Sequence, residues 1–417
     1  MLLSLLGLVV LVVLSLAATR TVTAPEWGFF GHRRINRMAV FTLPIEMMPF
    51  YRKHIEYLTD HAVDPDKRRY ATKHEAVRHY IDIDHWGVAP FPEVPREWSE
   101  ALLRYGEVRI ITLDSPDTLV VKVSTILRDQ NNSDTVLLQV NHPDLPLFLP
   151  LTTYKVFWQR YVLPQYYEAE WLVPNEAAAE LFHLPAERIT RVEVLDHFSE
   201  YGIVPYHLEK TQYQLTQAFV RKDVSAILRI SAEIGHYIGD AHVPLHTTEN
   251  YNGAMTNQVG IHAFWESRLP ELFADKTYDY FVGKAEYIRD KRKFFWETVL
   301  DSHALLDSVL AIEKRLSETI PSDQQYCFEE RLGLSVRTQC EAYARAYQEA
   351  MDGMVEERMR ASIQAIGSSW FTAWVDAGQP DLRPLLNGGL SEQELQEEEA
   401  LERSFNGGEE KGRTHGN

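Results

Sequence analysis

Hydrophobic positions along this chain follow a helical period over most of its length and a two-residue or continuous β period in one central stretch. After His32, Ile35, Met38, Ala39 and Phe41 mark a first helical face, and Pro44 is placed to open a second that carries Ile45, Met48, Tyr51, Ile55 and Leu58. Pro65 discourages a helical conformation at Asp64, so this pattern ends in the charged stretch DHAVDPDKRRY. Between about 104 and 192 the runs VRIITL, TLVVKV and TVLLQV are β-branched and are separated by the turn-rich DSPD and DQNNSD. From 193 the helical period returns. Ile227, Ile230, Ile234, Tyr237 and Ile238 form one buried face, and Pro244 ends that helix. Long helical patterns cover about 283–317 and 339–376, the second with Trp370 and Trp374 one turn apart in its core face. The fold class expected is mainly α with a β-rich insertion.

The two ends differ from the body. Residues 2–17, LLSLLGLVVLVVLSLA, are uncharged but shorter than the roughly 20 residues of a membrane-spanning helix, and read as the apolar core of a signal peptide. The stretch 391–417 is acidic and glycine-bearing and reads as a solvated helix fading into disorder. The expected organisation is a signal peptide and spacer over 1–26, a helical body over 27–103 and 193–390, the insertion over 104–192, and the tail. Export, to a periplasm or the medium, would permit Cys327 and Cys340 to pair. A net charge of −18 argues against capture of nucleic acid or anionic membrane by the surface as a whole. No obligate protein partner is evident.

Candidate chemistry concentrates between His236 and Glu266. The stretch HYIGDAHVPLH offers His236, Asp240 and His246, and HAFWE offers His262 and Glu266. His236 and Asp240, like His262 and Glu266, are four apart, which sets an imidazole and a carboxylate on one helix face. Such a donor set, with no cysteine, suits a catalytic zinc site better than a closed structural one. Gly235 and Gly239 cost helix stability, and they permit close approach of another backbone or of a metal. Upstream, Asp60, His61, Asp64 and Asp66 are candidate ligands at the exit of the second helix, and His79 stands in HYIDIDHW. A solvated face is the role expected of Arg33, Arg34 and Arg37.

Taken in order, WGFFGH, HYID, HYIGDAHVPLH and HAFWE resemble the superfamily of zinc-dependent phospholipases C and fungal single-strand-specific nucleases. The motifs span residues 27–266 and leave 104–192 uncovered. The resemblance implies a multi-helix catalytic domain holding three zinc ions. Asp64, His79, His236 and Asp240 would hold one. His246, His262 and Glu266 would hold a second. Trp27, His32 and the shared Asp240 would hold the third, with Asp64 and Asp240 as the catalytic carboxylates. In the family the Trp is the mature N-terminus and binds zinc through its amine and carbonyl oxygen, whereas here Trp27 follows Thr-Ala-Pro-Glu. His61, His85 and His242 do not match ligand positions.

The activity implied is hydrolysis of a phosphodiester by a metal-activated water. A phospholipid is the first substrate expected, from Glu266 in the final pair and the apolar LPLFLPL segment, and single-stranded nucleic acid the second. A non-catalytic zinc-binding module is the reading of a different class.

Overall fold

A computed structural model describes residues 29–113, 118–127, 134–142, 145–165, 170–331, 334–408 and 410–413. The apolar run at 2–17, Trp27 and Asn131-Asn132-Ser133 lie outside them. No helix among the described residues is long and apolar enough to cross a membrane.

Helices dominate the body. Helix α1 (Phe29–Ala39) buries Phe29, His32, Ile35, Asn36 and Ala39, a stripe recurring every three or four residues. Helix α2 (Asp64–Arg68) is one short turn with Pro65 near its start, where a missing N–H costs nothing. Helices α3 (Val204–Arg221) and α4 (Val224–Ala241) form an antiparallel pair. Lys222 makes the turn in the left-handed region, and Asp223 caps α4 by accepting from the Ala226 N–H. Almost every side chain of α4 from Ser225 to Ala241 is buried, so it is the central helix. Helix α5 (Met354–Asp376) packs across α1, α3 and α4. Its Trp370 stacks on Tyr51 with ring centres 4.9 Å apart and donates through Nε1 to the Ser231 carbonyl at 3.0 Å.

Several helices break where the sequence pattern runs on. Residues 44–47 form a turn, and the second helix divides into Met48–Lys53 and Ile55–Asp60, with Pro49 rather than Pro44 in the first turn. The pattern over 283–317 becomes helices Lys291–His303 and Leu306–Thr319, and the first starts only at 291, where Asp290 caps it by accepting from the Lys293 N–H. The pattern over 339–376 is interrupted at Asp352 and Gly353, both at positive φ.

The β-branched runs become an antiparallel sheet. Its strands are β1 (Gly106–Thr112), β2 (Leu119–Leu127), β3 (Thr135–Val140), β4 (Phe148–Pro150), β5 (Trp171–Leu172) and β6 (Ile189–Asp196), in spatial order β4-β3-β2-β1-β6-β5. The register pairs Val108 with Val121 and with Val194. One face builds its own apolar cluster with Tyr154, Trp158 and Phe182. A second antiparallel pair, β7 (Tyr326–Arg331) and β8 (Leu334–Gln339), falls between the two long helical patterns. Cys327 at its open end is disulfide-bonded to Cys340.

The acidic C-terminal stretch forms a helix that docks on the body. Helix α6 (Glu392–Gly407) begins with a reciprocal Ser391–Glu394 capping box. Its carboxylates find partners on the body: Glu402 on Lys67, Glu398 on the Tyr57 hydroxyl at 3.1 Å, and Glu394 on Arg229. Long-range pairing of this kind leaves no periodic trace in sequence.

Candidate metal centre

Two glycines set how the site assembles. A Cβ at Gly235 would stand 2.0 Å from Asn36 Oδ1, and one at Gly239 would stand 2.7 Å from Ile35 Cδ1 and 3.0 Å from His32 Nδ1. Their absence lets α1 lie directly on α4. The His32 and His236 rings then stack with centres 3.8 Å apart, and Asn36 donates to the Ala232 carbonyl at 2.9 Å.

Around this contact gather His32 from α1, Asp66 from α2, His79, His236 and Asp240 from α4, His246 after Pro244, and His262 and Glu266. Three groups among them are close enough to share an ion: His32, His236 and Asp240; Asp66, His79 and His236; and His246, His262 and Glu266. None of the eight is more than 8% exposed.

In the Asp66 group, His236 Nε2 lies 3.1 Å from His79 Nδ1, 3.3 Å from Asp240 Oδ2 and 3.6 Å from Asp66 Oδ1. His79 Nδ1 lies 2.9 Å from Asp240 Oδ2 and 3.7 Å from Asp66 Oδ1. In the His246 group, His246 Nε2 is 3.2 Å from both His262 Nε2 and Glu266 Oε2, and the last two atoms are 2.7 Å apart. On the third side, His32 Nε2 is 3.4 Å from Asp240 Oδ1 and 3.4 Å from Glu266 Oε1. Four ligands at zinc–nitrogen or zinc–oxygen bond lengths define a tetrahedron with edges of about 3.3 Å. These separations scatter around that edge.

Three of the imidazoles are oriented by a partner behind the ring. His236 Nδ1 donates to the Ala62 carbonyl at 2.8 Å, and His246 Nδ1 donates to the His79 carbonyl at 2.6 Å. Each therefore turns Nε2 inward. His79 is reversed: Nδ1 faces the cluster, and Nε2 faces buried Glu75, 3.7 Å away. Glu75 accepts from the Tyr237 hydroxyl and from Arg78 at 2.6 Å. A carboxylate or carbonyl behind each ligating histidine is the usual second layer of a metal site.

Charge balance points the same way. Among the described residues, the ion-pair partners of Asp240 and Glu266 are imidazoles. Burial opposes ionisation of both acids, yet His236 and His246 beside Asp240, and His246, His262 and His32 beside Glu266, hold them well below the usual carboxylate range. Burial likewise opposes a charged His32, but Glu266, Asp240 and Asp66 outweigh it and raise its pKa to about 9. Burial, reinforced by His32 near His236 and by His246 and Arg413 near His262, keeps both below their ordinary value against the pull of the neighbouring acids. Both oxygens of Asp240, Glu266 Oε1 and both ring nitrogens of His32 are buried without a well-formed hydrogen bond. Buried carboxylates of this kind are costly unless cations compensate them. Divalent ions would do so, and the donor set fits them.

The residues expected from sequence are distributed as follows. His32, His79, His236, Asp240, His246, His262 and Glu266 converge. Trp27 lies outside the described residues. Asp64 does not join the cluster: its carboxylate meets His61 Nδ1 at 2.6 Å and Lys67 Nζ at 3.3 Å, and Asp66, two residues on, takes the inward place. The two acids sit in one turn of α2, where a step of two residues reverses the side facing the core. Glu266 turns its second oxygen to His32, so it reaches two groups where the sequence reading gave it one.

Among the other histidines, His61 stacks on Tyr57, His85 stacks on Tyr201, and His242 donates to the Ile238 carbonyl at 2.7 Å. Arg34 pairs with Asp275 and Arg37 with Glu56, while Arg33 lies over Phe29. Glu75 went unread, although it stands four residues before His79, the same spacing that marks the other pairs. His262 and Glu266 lie on a helix running from Ile261 to Thr277 that widens to a π-turn over Phe264–Arg268, a distortion frequent at functional sites.

Compared with protein-family models, curated proteins and solved structures, the chain finds no match.

Proposed function

We propose that this protein is a zinc-dependent phosphodiesterase of the phospholipase C and single-strand nuclease type, with Asp66, His79, His236 and Asp240 around one ion, His246, His262 and Glu266 around a second, and His32 with Asp240 toward a third. The observation that carries the reading is the sharing of Asp240. Its two oxygens face His79 and His32 on opposite sides, so one carboxylate joins two ligand groups. Bound there, zinc would supply Lewis acidity toward phosphoryl oxygens and lower the pKa of a coordinated water toward neutrality. The chain's own part is to hold that charge in place. Ala62 and the His79 carbonyl fix the ring nitrogens of His236 and His246, and Glu75 backs His79. Asp240 and Glu266 stay ionised over the neutral range, so the site is ready to bind cations there.

A phosphodiester is the substrate class because its anionic oxygens need neutralising and its leaving oxygen needs stabilising, both of which paired cations provide. A phospholipid is favoured over nucleic acid by the net charge of −18 and by the exposure of Leu147 and Phe148 in the apolar segment. Burial of every ligand favours the second reading, a purely structural metal site. Hydrolysis of bis(p-nitrophenyl) phosphate, its loss on chelation and its return with zinc separate the two. Phosphatidylcholine micelles and single-stranded DNA, assayed side by side, then separate the substrates. Chelator-insensitive or absent hydrolysis by metal-loaded protein defeats the catalytic reading.

A further inference from the structure

The end of the chain docks on the two stretches that bear His79 and His246. The Ile81 N–H donates to the His246 carbonyl at 2.9 Å, and His246 Nδ1 donates back to the His79 carbonyl at 2.6 Å, which ties residues 79–82 to residues 246–251. Across this seam stand the rings of Tyr80 and Tyr251, the carboxylate of Asp82 and the carbonyl of Thr248. Together they make a cage, and Arg413 fills it. Its Nη1 lies 2.7 Å from each Asp82 oxygen, and its Nη2 donates to the Thr248 carbonyl at 3.1 Å. Its guanidinium carbon sits 4.0 Å from the centre of the Tyr80 ring and 3.7 Å from that of Tyr251. Charge, hydrogen-bond directions and both ring contacts are those of a guanidinium site. Tyr251 in turn meets His262 edge-on, with ring centres 5.9 Å apart.

The approach to the cage is anchored along its length. Phe405 of α6 packs against Phe29 and Tyr70, with ring centres 6.0 and 5.1 Å away, and Glu402 pairs with Lys67. Further on, the Lys411 N–H donates to the Arg69 carbonyl at 2.9 Å. The contacts thus run from the first residue of α1, past both flanks of Asp66, to the neighbour of His262. All the candidate ligands beneath are buried, so a phosphodiester reaches them only if something moves aside.

We propose that α6 with residues 410–413 is an intramolecular strap over the metal centre, and that the Tyr80–Asp82–Tyr251 cage is an arginine-binding latch which the chain fills with its own Arg413. The role of the strap in substrate access rests on the proposed function. Its role in ion access does not.

The test uses the full chain loaded with zinc, comparing wild type with Arg413→Ala, Arg413→Lys and the exposed control Arg403→Ala. Three quantities are measured: hydrogen exchange over 392–413, the rate of zinc loss to excess chelator, and hydrolysis of bis(p-nitrophenyl) phosphate. Arg413→Ala speeds exchange in the strap and raises zinc loss by roughly tenfold, the scale of one charge-assisted pair with ring stacking. Arg413→Lys falls between, Arg403→Ala matches wild type, and kcat/KM rises with zinc loss. Exchange and zinc loss in Arg413→Ala equal to wild type overturn the strap, whatever the hydrolysis. Faster exchange and zinc loss with no hydrolysis by any of the proteins sustain the strap and remove the phosphodiesterase reading instead.

Discussion

Asp240 Oδ2 lies 2.9 Å from His79 Nδ1, and both side chains are buried. The contact joins the middle of the sequence to its first hundred residues. It makes Asp240 a member of the Asp66 group, while its other oxygen serves His32. The arrangement depends on which acid of α2 turns inward, on what stands behind His79, and on how closely α1 approaches α4. Each of these has a measurable consequence.

Asp66→Asn is expected to weaken zinc binding, and Asp64→Asn to leave it near the wild-type value. Chelator competition followed by a zinc-sensitive dye measures both. The wild-type carboxylate of Asp64 is turned to His61 and Lys67 rather than to the ligand histidines. A larger loss in Asp64→Asn than in Asp66→Asn would restore the sequence-based assignment.

Glu75→Gln keeps the shape behind His79 and removes the charge. Zinc affinity should fall on the order of 10–100-fold, the usual effect of losing a carboxylate behind a ligating histidine. An unchanged affinity would mean that the 3.7 Å approach of Glu75 to His79 Nε2 does not orient the ring.

Gly235→Ala forces its new Cβ against Asn36 Oδ1, and α1 must shift. A loss of about 1–3 kcal/mol in urea-unfolding stability is expected, as for other overpacked interiors. Gly239→Ala presses on His32 and Ile35, and should weaken zinc binding as well as stability. Wild-type stability in both variants would show that the close helix contact is dispensable.

His207 supplies a pH signature away from the ligands. Burial, with Arg78 and Lys210 adding to it, pushes this histidine well below its ordinary 6.5. The unfolded chain therefore takes up a proton that the native state refuses. The contribution of His207 to stability is complete above about pH 6.5 and is lost as pH falls below it, by at most about 1.4 kcal/mol per pH unit. Urea midpoints of wild type and His207→Leu at pH 7.5, 6 and 5 should show a shallower decline in the variant. Parallel declines would contradict the assignment.

Legibility in the sequence followed the range of the forces involved. The pairs His236/Asp240 and His262/Glu266 were readable because one helical turn fixes their spacing. The β-branched runs at VRIITL, TLVVKV and TVLLQV form β1, β2 and β3 because an alternating or continuous apolar run has few other ways to bury itself. The choice between Asp64 and Asp66 was not readable, since both lie in a short turn whose rotation is set by packing on α4. The β7–β8 pair between two strong helical patterns was missed, as was the docking of α6. That docking depends on Lys67, Arg69, Arg229 and the Tyr80 cage, all more than a hundred residues away in sequence. Helix α6 itself was legible in its acidic run, but its cap at Ser391 and its partners were not.

The most direct test of the metal centre is elemental analysis of the purified chain, with wild type and Asp240→Ala prepared in parallel without chelator. Two to three zinc ions per wild-type chain are predicted. Asp240→Ala should lose more than one of them, with hydrolysis reduced by at least about 100-fold, more than removing an outer-shell partner costs, while Arg33→Ala stays near wild type. A wild-type chain with no bound metal, or an Asp240→Ala chain with its full complement, would contradict the account.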